Sequence, residues 1–328
     1  MKSVSVIKWL LVTLFLMTAF PVLASKPQAV EECNTTIEEP GKYRLTKDLE
    51  DCEGFGVAID ASDVTLDLKG HTISCKNTGT LSAGIVTGTT VPVHGVKITN
   101  GTVTGCAKGI FLGYAEDSSV TKINAWGNYS VESEAFSGIG IFVLEGGNNA
   151  ITHNTTHDNE KYGIDSLWTG NNLFRHNTVF NNRGIDEGYG IALEEDTNSK
   201  VLCNRVYGNM DGIFLGPFSD GNLLRGNLVV DNSWSGIGMM GWAWDGYFWL
   251  DIPDGNLIRS NRVEDNGVFD LFEFYFDLMT GEFLLHSEGT CMNAWVKNQF
   301  GTWVLGPDGC FGDPVILDDD DVCALDDD

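Results

Sequence analysis

Asp165 and Glu194 are the residues whose type and spacing could do chemistry. Each follows a Gly-Ile pair in an alternating stretch, Gly163-Ile164-Asp165 and Gly190-Ile191-Ala192-Leu193-Glu194. If the isoleucine of each pair points inward, strand alternation turns the next residue outward. The first outward column then reads Phe111, Gly140, Asp165, Ala192, Phe214 and Gly238. The second, two residues further on, reads Gly113, Phe142, Leu167, Glu194, Gly216 and Met240. Asp165 and Glu194 are thus expected on neighbouring repeats, flanked by Phe142 and Phe214, with Trp168 close by. Two carboxylates among aromatic faces suit glycoside chemistry, where one acts as acid and the other as base or nucleophile. A solvated acidic face would give the same pattern, because Asp186-Glu187 and Glu195-Asp196 extend the acidic run.

Four other groups are weighed in the same way. His153 and His176 take the same place in successive repeats, with His157 near and Cys203 in that place one repeat later. Stacked imidazoles are metal ligands by type, and stacked polar turn residues by default. Arg175, Arg225 and Arg259 form a column two residues before a recurrent asparagine, where a basic column mainly balances local acid. Trp242-Ala-Trp244-Asp-Gly-Tyr-Phe-Trp249 lengthens one repeat and reads as a loop. Trp242, Trp244 and Trp249 would offer flat apolar faces to sugar rings or to a protein partner. The terminal run Asp318–Asp321 lacks the spaced ligands and glycine of a calcium loop and reads as a solubilising tail.

The elements that must position these residues follow from an internal period. Gly-Ile recurs at 84, 109, 138, 163, 190, 212 and 236, at intervals of 25, 29, 25, 27, 22 and 24 residues. Asparagines five apart keep step at Asn154 and Asn159, Asn177 and Asn182, Asn204 and Asn209, Asn227 and Asn232, and Asn261 and Asn266. Each unit holds about three short strands and no helical pattern, as in Gly212-Ile-Phe-Leu215 and Asn172-Leu-Phe-Arg-His-Asn177. One such unit cannot bury its own apolar face, whereas stacked units can. Equivalent asparagines would then sit one strand spacing apart, about 4.8 Å, and hydrogen-bond along the stack.

These marks resemble the right-handed parallel β-helix proteins, the coil shared by pectate lyases, alginate epimerases and NosD-type periplasmic proteins. The repeat match runs from about Val57 to Thr302. Pro40–Leu49 with Val64–Ile73 resembles the opening of secreted members, and Asn293–Thr302 their close. The resemblance implies an all-β solenoid of about ten coils with terminal caps. The expected division is a signal peptide over 1–24, an N-terminal cap over 25–53, the β-helix over 54–302 and an acidic tail over 303–328. Val268 to Leu285 departs from the repeat and is expected to hold the last coils and a cap. Tyr162-Gly-Ile-Asp165 resembles the epimerase motif Tyr-Gly-Phe-Asp-Pro-His, but Ser166 and Leu167 stand in the proline and histidine places. NosD-type resemblance raises copper at the histidines.

Composition narrows the partners. The chain of 328 residues carries 46 acidic and 20 basic side chains, a formal charge of −26. It therefore repels nucleic acid and anionic membranes. An anionic polysaccharide would need a bridging cation, of which calcium is the expected one. Lys2, the apolar run Trp9–Phe20 and Val22-Leu23-Ala24 read as an export leader cleaved after Ala24, with no later span of membrane length. All 8 cysteines follow it, so disulfides are expected, with Cys33–Cys52, Cys75–Cys106 and Cys291–Cys310 as the pairs. Asn34, Asn100, Asn128 and Asn154 head N-x-S/T triplets. The sequence thus describes a secreted, periplasmic or cell-surface protein that binds or modifies carbohydrate, as a lyase, hydrolase or epimerase. The alternative is a non-catalytic scaffold that grips a protein partner.

Overall fold

The computed structural model describes residues 26–76, 82–129, 136–184, 188–244, 249–251, 253–277, 282–284, 293–304 and Cys323. The expected leader, Cys291, Cys310 and the run Asp318–Asp321 lie outside the described residues.

Among the described residues the fold is all β, and no helix is long and apolar enough to cross a membrane. The chain winds as a parallel solenoid. One wall consists of the longer strands, among them Lys108–Gly113, Ile139–Leu144, Tyr162–Gly170, Tyr189–Thr197, Asp211–Leu215, Ser235–Trp244 and Phe269–Asp277. Each pairs in parallel with the next. The other walls consist of pairs of short strands such as Leu173–Arg175 and Thr178–Phe180, stacked in the same sense. Residues 28–52, expected as a cap, supply the first rungs of both sheets, with Gln28–Val30 on Gly41–Leu45 and Thr35–Ile37 on Phe55–Ile59.

The Gly-Ile mark has a packing cause. Ile110, Ile141, Ile164, Ile191, Ile213 and Ile237 stack one per rung in the interior and are fully buried. Burying such a side chain is worth about 1.5–3 kcal/mol. The preceding glycine also faces inward, where no side chain fits. A Cβ on Gly212 would lie 2.3 Å from Val229 Cγ1, 2.5 Å from the Gly236 carbonyl oxygen and 2.9 Å from Asn232 Nδ2.

The asparagines form three ladders. Asn154, Asn177, Asn204, Asn227, Asn261 and Asn298 make one, each accepting the backbone N–H of its predecessor. Asn128, Asn159, Asn182, Asn209, Asn232 and Asn266 make the second. The third was not anticipated and runs through Asn149, Asn172, Ser199, Asn222, Asn256 and Asn293. These side chains supply the partners that buried turn amides require. Asn128 and Asn154 are therefore sealed within ladders, at 0% and 1% exposure, which no triplet count could reveal.

Two expectations need correcting. The register pairs Ile141 with Ile110 and Phe142 with Phe111, so Gly140-Ile141, not Gly138-Ile139, is the inward pair of that coil. In the sequence Gly-Ile-Gly-Ile either pair satisfies the pattern, and only the stacked partners choose. The described part of the expected loop, Trp242–Trp244, is strand. It is the end of the strand Ser235–Trp244, folded back antiparallel on Trp249–Asp251 with Trp244 opposite Trp249. Val268–Leu285, expected to hold the last coils, does carry a further rung, because Phe269–Asp277 continues the long-strand wall and then pairs antiparallel with Glu282–Leu284.

Two of the expected disulfides are present, Cys33–Cys52 and Cys75–Cys106. A further one joins Cys203 to Cys323, tying the tail to the middle of the solenoid. With the two 120 positions apart, sequence proximity gives no hint of it.

Candidate functional site

The outer face of the long-strand wall carries Asp165. Phe111, Phe142, Asp165, Ala192, Phe214 and Gly238 follow one another across successive rungs. Phe142 thus lies in the same column as Asp165, not in the next one. The next column holds Gly113, Leu144, Leu167 and Glu194. Asp165 and Glu194 are diagonal neighbours with Cα atoms about 8 Å apart, from a rung of about 4.8 Å and two residues of about 3.3 Å each.

The two carboxylates differ in burial. Asp165 is 2% exposed and lies on the coil before Glu194. Glu194 is half-buried, its Cγ lying 3.3 Å from where a Cβ on Gly216 of the following coil would stand. An apolar cover closes over Asp165: Ile139, Phe142, Tyr162, Leu167 and Ala192 are buried together, with Phe111, Leu144 and Tyr189 against them. Phe136 stacks on Phe142 at 5.9 Å, and Tyr189 bridges Tyr162 to Phe214 at 5.2 and 4.7 Å. Phe142 and Phe214 are thus cover for the wall and present no open ring faces.

Trp168 behaves differently. It has a φ of +54°, and the register passes from Leu167–Glu194 to Thr169–Asp196 around it. This left-handed corner throws the indole off the end of the wall, where it is 47% exposed. Tyr114, Glu145 and Glu195 stand at equivalent corners with φ of 49°, 48° and 51°. The hydrogen bonds Tyr114 N to Leu144 O and Glu145 N to Leu167 O stack these corners in order. Tyr114 is 43% exposed and both glutamates are exposed. The edge therefore reads Tyr114, Glu145, Trp168, Glu195, one residue per rung, the two rings about 10 Å apart. Bulky residues rarely adopt this conformation and gain nothing from it by themselves. Trp242, Trp244 and Trp249 belong to the hairpin further along the same wall.

The turn on the far side of the solenoid holds the histidines. His153, His176 and Cys203 occupy one left-handed corner on three successive rungs, with φ of 57°, 55° and 55°. Their stacking follows from His153 N to Arg175 O, His176 N to Leu202 O and Cys203 N to Arg225 O. The imidazoles of His153 and His176 lie 5.1 Å apart, and Arg175 Nε donates to His176 Nε2 at 3.0 Å. The donor atoms of His176, Cys203 and Cys323 all fall within 4.8 Å of one another. A groove of about 740 Å³ opens beside the disulfide, lined by Arg205, Leu228, Arg262 and Glu264 among others. His157 goes elsewhere. It stacks in a ladder of parallel rings, Trp126, His157, Phe180 and Tyr207, with centroids 6.0, 4.7 and 5.0 Å apart. The inner rings cover one another, and Trp126 at the end of the ladder is 40% exposed.

Two more carboxyls missed by motif reading sit inside the structure. Asp196, fully buried, has its pKa raised to about 6 by burial, opposed by hydrogen bonds from Ser166, Ser199 and Asn172. Asp211 is raised to about 7 by burial, opposed by the Ser235 hydroxyl and N–H.

The fold and these sites define a right-handed parallel β-helix protein. Residues 49–277 match the family described as "Periplasmic copper-binding protein (NosD)". The chain belongs to the NosD family. That family is described as periplasmic, in keeping with the expected export. Among solved structures, it is similar to the A-module of the mannuronan C-5 epimerase AlgE6 of Azotobacter vinelandii, with 14% identity over 82% of this chain and 86% of that one and a TM-score of 0.50. It is similar to the periplasmic alginate epimerase AlgG, with 14% identity over 81% and 75% and a TM-score of 0.50. It is also similar to the catalytic domain of Agl-KA, with 13% identity over 79% and 48% and a TM-score of 0.55. At such identities the likeness is one of fold. No curated protein matches the chain.

Proposed function

We propose that this chain is an exported glycan-binding protein that holds a sugar chain along the edge Tyr114, Glu145, Trp168 and Glu195, without turning it over. The observation that carries the reading is the alternation of exposed rings and carboxylates on stacked corners. Each ring offers an apolar face for a pyranose, and each carboxylate accepts from sugar hydroxyls. Glu194, in the wall next to this edge, extends the acceptor row. Asp165 lies buried beneath the cover, which favours binding over the two-carboxylate chemistry of a hydrolase. The acidic edge selects a neutral glycan, and a uronate would bind only with a cation such as calcium between the charges.

The test is a glycan array with the full chain, Trp168→Ala, Tyr114→Ala, Glu194→Gln and Asp165→Asn, with calcium and with a chelator. Binding of neutral glycans that falls at least tenfold in Trp168→Ala and survives chelation is the expected result. Unchanged binding in both aromatic variants would overturn the assignment of the edge. The antiparallel hairpin Trp242–Asp251 supports a second reading, a scaffold for a protein partner, which absence of all glycan binding would favour.

The family description names copper. The chain's soft donor set is His176 with the two sulfurs of Cys203 and Cys323. In the disulfide form those sulfurs are bonded to each other, and the glycan reading uses no metal at this corner.

A further inference from the structure

We propose that the short-strand wall before the histidine corner binds a sulfated polysaccharide laid along the solenoid axis. This wall belongs to a different sheet from the one that carries the glycan edge, so the two assignments stand or fall separately.

Register carries the argument. In the strands Ala150–Thr152, Leu173–Arg175, Lys200–Leu202, Leu223–Arg225, Leu257–Arg259 and Ala294–Val296 the middle residue is buried and its two neighbours face out. One outward column reads Thr152, Arg175, Leu202, Arg225, Arg259 and Val296. The other holds Lys200 between Leu173 and Leu223. The left-handed corner that follows adds His153, His176 and, on the last rung, Lys297. None of the outward positions in these six strands is acidic, in a chain with 46 acidic side chains and 20 basic ones. A column that only balanced local acid would have acid within it. The groove round the corner shows that arrangement. There Arg205 and Arg262 share the lining with Asp231, Glu264 and Asp265, and Arg262 Nε donates to Glu264 Oε1 at 2.6 Å. On the wall the cations stand among leucines instead.

Spacing and type select the ligand. Arg225 and Arg259 are paired in register, one rung of about 4.8 Å apart, and Arg175 lies two rungs, about 10 Å, from Arg225. Like charges stacked in this way repel, and a row of bound anions offsets the repulsion. A linear polymer with charges repeated along its length meets the whole row, whereas a small anion meets one or two members of it. The wall carries three arginines and one lysine, against 7 arginines and 13 lysines in the chain. A guanidinium is planar, holds its donors in a fixed fork and is more weakly hydrated than an ammonium. It pairs most readily with an oxyanion that also sheds water easily, a sulfate half-ester before a carboxylate. Arg175 is steadied at the corner by the bond from its Nε to His176 Nε2 at 3.0 Å. Half-buried Leu173, Leu202 and Leu223 give apolar ground to the sugar rings between the charges. With arginines facing the anions, no bridging calcium is required.

The experiment is titration calorimetry of the full oxidised chain with chondroitin sulfate, with unsulfated chondroitin of the same uronate backbone, and with dextran, all in the presence of a chelator. The expected result is binding of the sulfated polymer alone, weakened about tenfold or more between about 50 and 200 mM salt. Arg225→Gln/Arg259→Gln should weaken binding about tenfold, and Arg175→Gln about threefold. Thermal melts check the fold of each variant, and Arg175→Gln alone decides if the pair does not fold. Lys69→Gln/Lys76→Gln removes two exposed cations from the first coils and should leave binding unchanged. Equal binding of the two chondroitins would overturn the proposal. So would full affinity in the folded arginine variants, an equal loss in the lysine pair, or binding that appears only with calcium.

Discussion

Replacing Asn204 by alanine should unfasten the centre of the solenoid. Asn204 is 1% exposed. Its Oδ1 accepts from Asn177 N at 2.9 Å and from Asn177 Nδ2 at 3.0 Å. Its Nδ2 donates to Phe174 O at 2.9 Å and to Asn227 Oδ1 at 3.0 Å. After truncation the Asn177 N–H has no acceptor in reach, and one amide hydrogen of Asn177 and one lone pair of Phe174 are left over. Asn227 Oδ1 keeps the Asn204 backbone N–H. A fully orphaned buried donor costs about 1–3 kcal/mol and each further lost bond about 1 kcal/mol, so the total is about 3–5 kcal/mol. Asn204→Asp separates hydrogen bonding from packing. The new carboxyl still accepts from Asn177, but its second oxygen faces two acceptors unless it carries a proton. Its folded pKa is therefore raised, the folded state holds more protons than the unfolded one, and stability falls as pH rises from about 4. Urea titrations of the oxidised chain at pH 5 and pH 8, with amide exchange at Asn177 to localise the opening, measure both effects. A loss below about 1 kcal/mol for the alanine variant would refute the reasoning, as would equal stability of the aspartate variant at the two pH values.

Two further outcomes follow from single groups. Asp211 has a folded pKa of about 7 against an unfolded value of about 3.9. Its neutral form is favoured by folding, so the stability it allows is present at low pH and lost as pH rises toward 7. The loss is of order 4 kcal/mol, and Asp196 acts in the same direction up to about pH 6. The denaturation midpoint should therefore drop between pH 5 and pH 8, and Asp211→Asn should remove most of the drop; an unchanged slope in that variant would contradict the assignment. Cys75–Cys106 closes a separation of 31 residues, for which loop-closure entropy gives about 3.5 kcal/mol. Cys75→Ser/Cys106→Ser should lose about that much in a urea titration, and a loss under about 1 kcal/mol would show that the stacked coils hold the loop without it.

What the sequence disclosed, and what it withheld, has one physical source. Stacking puts identical backbone environments one rung apart, so a residue required at one rung is required at the next. Gly212 beneath Gly190, and Asn204 beneath Asn177, are legible because interior space and orphaned turn amides impose the same answer on every coil. Outward residues meet no such demand. Gly138-Ile139 and Gly140-Ile141 satisfy the same pattern, and only the pairing of Ile141 with Ile110 shows that Phe142 shares a column with Asp165. Alternation places Trp168 beside Asp165; a left-handed corner, which costs an aromatic residue and leaves no mark in alternation, carries it to the edge instead. Cys203 and Cys323 meet across 120 residues, a distance that no periodic signal spans.

The excess of acid follows the same division. Among the described residues, the interior carboxyls of Asp196, Asp211 and Glu273 are held by hydroxyl, amide or indole donors. The rest are distributed over corners and outward positions, where no stacking rule asks for charge. Glu145 and Glu195 are spaced by single rings, on corners that asparagine fills elsewhere. Charge placed for solubility alone would not need to alternate with exposed aromatics at a conformational cost. On that ground the glycan site proposed above is placed on the Tyr114–Glu195 edge and not at the carboxylate buried under Phe142.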